Sequence, residues 1–81
     1  MWKKGKIEIN GEIYKYYAKV FERGSKFGIA NGVISKLSIH NSKGEEVCVY
    51  DRGWVTEPEA LLDLLAYREV LKLFTYTETE E

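Results

Sequence analysis

The sequence predicts an α+β domain, a four-stranded antiparallel β-meander with one C-terminal α-helix packed on one face. Three observations carry this expectation. Residues 56–74, Thr-Glu-Pro-Glu-Ala-Leu-Leu-Asp-Leu-Leu-Ala-Tyr-Arg-Glu-Val-Leu-Lys-Leu-Phe, form the one long stretch with helical periodicity. Asn10-Gly11 separates two strand-like runs. Two further runs rich in β-branched residues, 33–40 and 45 to about 51, are bounded by glycine- and asparagine-bearing segments. The expected organisation is one domain over residues 1–74 and a frayed, acidic tail over 75–81.

Residues 2–9 and 12–21 read as a hairpin, because Asn-Gly supplies the two positive φ angles that a type I′ turn requires. A two-residue loop sets the register. One face pairs Ile9 with Glu12, Ile7 with Tyr14, Gly5 with Tyr16 and Lys3 with Ala18, and the bare Gly5 leaves room for the Tyr16 ring. The opposite face pairs Glu8 with Ile13, Lys6 with Lys15, Lys4 with Tyr17 and Trp2 with Lys19.

Residues 22–32, with Gly24, Gly28 and Gly32, read as a loop. Gly28-Ile-Ala-Asn-Gly32 has neither the spacing of a dinucleotide fingerprint nor the Lys-Ser/Thr ending of a phosphate loop, and it precedes a strand. Asn31-Gly32 then turns the chain back antiparallel. The third and fourth strands meet through Asn41-Ser42-Lys43-Gly44. With Gly44 in the left-handed region of a three-residue loop, Ile39 faces Val47 and Leu37 faces Val49. Val33 and Ser35 join that inner face. Outside, His40 lies opposite Glu46, Ser38 opposite Cys48, Lys36 opposite Tyr50 and Ile34 opposite Arg52.

The helix is expected to open on a capping box, Thr56 as N-cap and Glu59 three residues on, with Pro58 tolerated in the first turn. At 100° per residue, Ala60, Leu64, Tyr67, Leu71 and Phe74 form one stripe, and Leu62, Ala66, Val70 and Leu73 an adjoining one. The first stripe is expected to face an inner sheet set of Ile7, Ile9, Tyr14, Tyr16, Ala18, Val20, Val33, Leu37, Ile39, Val47 and Val49. Asp63 falls within the apolar arc, where it needs Arg52, a tyrosine hydroxyl or the helix edge as partner.

Composition narrows the function. Eighty-one residues make one domain near the size where burial becomes marginal, so self-association helps. Thirteen acids against twelve lysines and arginines give a net charge of −1, so nucleic acid or an anionic membrane would need a local patch. The single cysteine excludes an internal disulfide and fits a reducing compartment. No run approaches the roughly 18 apolar residues of a membrane span. A cytoplasmic location is expected, with no membrane partner and no cofactor.

Two surfaces stand out. Leu61 and Leu65 project among the charges on the wet side of the helix, beside Arg68, and exceed what a core on one sheet requires. Isolated surface leucines are ordinary. Paired about a two-fold axis, these instead make Leu61, Leu65 and Arg68 a candidate homodimer interface. The outer face of the hairpin interleaves Trp2, Lys4, Lys6, Lys15, Tyr17 and Lys19, a candidate nucleic-acid face in which rings contact bases and ammonium groups contact phosphates. The plain alternative is a solvated, lysine-guarded edge with Trp2 resting on the Lys19 stem.

His40 and Cys48 fall diagonally across from each other, with Glu46 able to orient the imidazole. A nucleophilic cysteine also needs a pocket and oxyanion donors, which an open sheet face does not offer. These three residues also fall one ligand short of a structural zinc site. Tyr50-Asp51-Arg52-Gly53-Trp54 is the densest short cluster. It reads either as a strand-to-helix junction closed by Trp54 or as an inward carboxylate and a guanidinium presented at a strand end.

The opening Met-Trp-Lys-Lys-Gly-Lys-Ile, the Tyr-Tyr-Ala-Lys-Val-Phe strand, Phe-Gly-Ile-Ala-Asn-Gly-Val-Ile-Ser-Lys-Leu and Tyr-Asp-Arg-Gly-Trp resemble a family of small uncharacterised proteins from phages and prophages of Gram-positive bacteria. The resemblance spans residues 2–74. It implies a genomic setting, which favours a small protein that binds a host or defence component, and carries over neither a site nor an activity. Strands followed by a helix opening Thr-Glu-x-Glu-Ala are also similar in architecture to plant AP2-type and integrase amino-terminal DNA-binding domains. Those domains read DNA with several arginines and tryptophans, whereas Arg52 is the one arginine on this sheet face. The expected function is therefore a small non-enzymatic module that binds a host protein or small ligand and forms a homodimer, with nucleic-acid binding as the alternative.

Overall fold

The computed structural model describes residues 2–20, 29 and 33–78, the helix side chains as far as Phe74. Strands β1 (Trp2–Ile9), β2 (Glu12–Val20), β3 (Ile34–His40), β4 (Glu46–Asp51) and β5 (Trp54–Thr56) precede one helix, α1 (Leu61–Glu78). The strands form a single antiparallel sheet in chain order, β1 to β5. The fold is α+β, with a sheet of five strands instead of four.

The β1–β2 hairpin has the expected register at all eight pairs, from Trp2 opposite Lys19 to Ile9 opposite Glu12. Asn10 and Gly11 have φ of 52° and 82°, as a type I′ turn demands. A Cβ on Gly5 would lie 2.6 Å from the Tyr16 hydroxyl and 2.8 Å from Cζ, so the tyrosine ring occupies the place of the missing side chain. That ring meets Phe74 of α1 edge-on, centroids 6.0 Å apart.

Between β3 and β4 the turn matches expectation and the strand beyond it does not. Asn41 and Glu45 close a three-residue loop, with Gly44 at φ 85°, and the Asn41 side-chain carbonyl accepts the backbone N–H groups of Lys43 and Glu45. His40 pairs with Glu46 as expected. Ile39 then pairs with Cys48, because Val47 is the extra residue of a β-bulge. Every later side chain of β4 changes face. Leu37 pairs with Tyr50, Ser38 with Val49 and Lys36 with Asp51, so Cys48 and Tyr50 enter the core and Val49 lies outside. Val47 stays half-buried against the core. A second irregularity between Lys19 and Val20 sets Val20 opposite Ile34, which is buried instead of lying outside opposite Arg52.

Tyr50-Asp51-Arg52-Gly53-Trp54 is a hairpin turn into β5 and not a strand-to-helix junction. Tyr50 pairs with Trp54 and Val49 with Thr56. Arg52 takes the left-handed region at φ 57°, and its N–H donates to the Ser35 carbonyl at 3.0 Å. Trp54 makes edge contacts with Tyr50 (5.1 Å) and with Tyr67 of α1 (5.4 Å), covering the rim of the core.

Thr56 is consequently a strand residue, and the Thr56/Glu59 capping box does not form. The first helical bond runs from the Leu64 N–H to the Ala60 carbonyl at 2.9 Å. Pro58, expected in the first turn, is buried ahead of the helix. The helix is also rotated from its expected setting. Ala66 and Val70 are fully buried, with Leu62, Tyr67, Leu71 and Phe74 packed beside them, while Ala60, Leu64 and Leu73 are exposed. The backbone stays helical through Glu78, past the Phe74 limit read from the sequence. Residues 21–28, 30–32 and 79–81, which include most of the expected glycine-bearing loop and the end of the tail, lie outside the described residues.

Asp63, in the first turn of α1, accepts a 2.8 Å hydrogen bond from the Tyr14 hydroxyl of β2. The carboxylate thus sits at the positive end of the helix dipole and ties helix to sheet. Replacing Tyr14 by Phe should strand that half-buried carboxylate and cost about 1.5–3 kcal/mol, the range for a hydrogen bond to a charged group. Urea unfolding of Tyr14→Phe against wild type measures it as a lower midpoint at unchanged slope.

Candidate binding surfaces

Burial of the inner face settles the place of the one cysteine. Cys48 is 0% exposed, and desolvation, helped by the charge of Asp63, pushes its thiol up to about 12. His40 lies on the opposite face of the sheet, its Nε2 3.7 Å from Glu46 Oε2 and its ring 5.8 Å from that of Tyr17. The diagonal His40–Cys48 arrangement read from the sequence therefore does not exist: the Val47 bulge sends the thiol inward and leaves the imidazole outside. A neutral, inaccessible thiol has no nucleophilic character. Among the described residues, no three His, Cys, Asp or Glu side chains gather as metal ligands.

Asp51 is likewise displaced from its expected inward position. It lies exposed on the outer side, 3.8 Å from Lys36 Nζ and 3.5 Å from Arg52 Nε. These are solvent-screened pairs that brace the β4–β5 turn.

The outer sheet face is an open surface. Trp2 is 60% and Tyr17 39% exposed, with Ile13 exposed beside them, and Lys4, Lys6 and Lys15 are exposed among these rings. Lys19, half-buried, stands opposite Trp2. None of these four lysines forms an ion pair with a described carboxylate. The six residues expected to form a lysine–aromatic face therefore do share one surface, and the structure adds Lys36, His40 and Lys43 around them.

The second surface is the solvent side of α1. Leu61 is 71% and Leu64 38% exposed, Leu65 is half-buried, and Arg68 is exposed. Leu64 is the addition here, since the rotation of the helix moves it from the expected core stripe to the outside. Lys72 and Glu69 pair along the same helix at 3.2 Å. No described helix is long and apolar enough to cross a membrane.

A family model described as Domain of unknown function (DUF7678) matches residues 1–75, all five strands and most of the helix. The chain belongs to that family. No curated protein and no solved structure matches it. The DUF7678 match thus covers both surfaces and assigns neither.

Two acidic groups facing the core carry a pH dependence. Tyr14 is raised to about 12 by burial and by its bond to Asp63, and Cys48 to about 12 by burial. Both hold their protons more tightly folded than unfolded. The stability they contribute is complete below the unfolded values of 9.0 and 10.0 and is lost as pH rises towards about 12. Cys48→Ala should shrink the loss of unfolding free energy between about pH 8 and about pH 11, whatever constant offset its small cavity adds. Paired urea titrations at the two pH values read that difference.

Proposed function

We infer that this DUF7678 chain is a non-enzymatic interaction module that self-associates through the solvent side of α1. The observation that carries this reading is the group of three leucines there, Leu61, Leu64 and Leu65, spaced one turn or less apart beside Arg68 and outside the core. One sheet face absorbs Leu62, Ala66 and Val70 and has no use for them. About a two-fold axis the same patch meets itself, so six leucines leave water together and Arg68 stands at the rim. Leu61, 71% exposed, gains most from burial, while Leu64 and Leu65 are already partly covered and add less, so the patch works against an association cost of about 4–15 kcal/mol and favours a weak dimer. The buried, neutral Cys48 thiol supports the non-enzymatic part of the reading. The resemblance to phage and prophage proteins supports a cytoplasmic host component as a further partner.

Leu61→Glu combined with Leu65→Lys should leave the fold intact and convert a dimer to a monomer. Size exclusion with light scattering decides the point. A wild type that is monomeric at high micromolar concentration, or a double mutant of unchanged mass, rules out the interface.

A further inference from the structure

We propose that the outer sheet face binds a single strand of nucleic acid along one track, from Trp2 across Tyr17 to Lys43. Two depressions in that face share Tyr17. One, of about 380 Å³, lies among Trp2, Lys3, Lys4 and Tyr17. The other, of about 640 Å³, extends from Tyr17 over Ile13 and Lys15 to His40 and the β3–β4 turn at Lys43. No carboxylate lines either depression, although acids outnumber bases in the whole chain. The cationic character is thus a property of this surface and not of the composition.

The acids nearby are engaged or lie off the track. Glu46 accepts the Ser38 hydroxyl at 3.3 Å and faces His40, Asp51 faces Lys36 and Arg52, and Glu12 accepts the Ser42 hydroxyl. Glu8, exposed on edge strand β1, lines neither depression. By contrast Lys4, Lys15 and Lys43 form no ion pair with a described carboxylate and are free to meet phosphates.

The aromatic rings choose between kinds of polyanion. Trp2 and Tyr17 present ring surface in the depressions, where a flat, unstacked base can lie against it. A single strand offers such bases together with its phosphates. A duplex hides its base faces in the stack and would use only the ammonium groups. No arginine lines the track, so bidentate reading of base edges is absent and binding should tolerate sequence. The track lies on the face opposite α1, so it does not depend on self-association.

The test is fluorescence anisotropy of the intact protein with labelled oligothymidylate of about ten nucleotides, beside the same strand annealed as a duplex. Oligothymidylate should bind more tightly than the duplex, and more tightly than thymidine monophosphate competes. Each phosphate neutralised contributes about 0.7 to the logarithmic salt slope of a single strand, so Lys4→Gln, Lys15→Gln and Lys43→Gln together should flatten it by about 2. Trp2→Ala with Tyr17→Ala should weaken binding at least about five-fold at constant charge, and the corresponding Phe variants should retain it. Circular dichroism melts of each variant verify the fold. The proposal is overturned by no binding at low salt, by equal affinity for strand and duplex, by equal competition from the mononucleotide, or by affinity unmoved when both rings are removed.

Discussion

One helix, with Ile29 and Pro58 buried beside it, packs on one face of the five-stranded sheet, and the rest of the molecule follows from that one-sided arrangement. A sheet face without a second layer must meet water, so its side chains sort by face: Ala18, Leu37, Ile39, Cys48 and Tyr50 under α1, lysines and carboxylates on the other side. Two contacts of β2 with α1 hold the layers in place. Tyr14 binds Asp63 near the helix start, and Tyr16, lying over Gly5, meets Phe74 near the last described side chain. A hydroxyl inside an apolar layer would be costly without its acceptor, so the Tyr14–Asp63 bond fixes position as well as contributing stability.

The same constraint separates the two candidate surfaces. The solvent side of α1 groups Leu61, Leu64 and Leu65 beside Arg68, while the outer sheet face interleaves lysines with aromatic rings. They lie on opposite layers, so occupation of one leaves the other accessible. The inner layer holds the neutral Cys48 thiol and the raised Tyr14 and Tyr67 phenols, the latter shifted by burial and by neighbouring Cys48 and Tyr50.

Local chemistry alone determined the first hairpin, the left-handed Gly44 of the third turn and the existence of one C-terminal helix. In each case the deciding forces act within a few residues: the φ requirement of Asn10-Gly11, the αL tolerance of glycine, and the 3.6-residue repeat of apolar side chains. The lysine–aromatic face was legible for the same reason, because once a two-residue loop sets the register every side chain of the hairpin is assigned to a face. The Leu61, Leu65 and Arg68 positions on the wet side of the helix followed from the repeat as well.

Tertiary packing decided the rest. Val47-Cys48-Val49-Tyr50 is apolar at every position, so alternation could not say which pair faces in, and the bulge at Val47 resolves it by burying Cys48 and setting the Tyr50 ring against Trp54. Thr56 and Glu59 carry a sound capping signal, yet pairing of Thr56 with Val49 in β5 overrides it and delays the helix to Leu61. The apolar arc of α1 is wide enough for more than one rotation, and the Tyr14–Asp63 bond together with the close packing of Ala66 and Val70 selects the one that leaves Leu64 outside. Sequence periodicity determines that a stripe will be buried. Which edge of a broad stripe goes deepest depends on the shape of the sheet beneath it, and that exists only once the strands have paired.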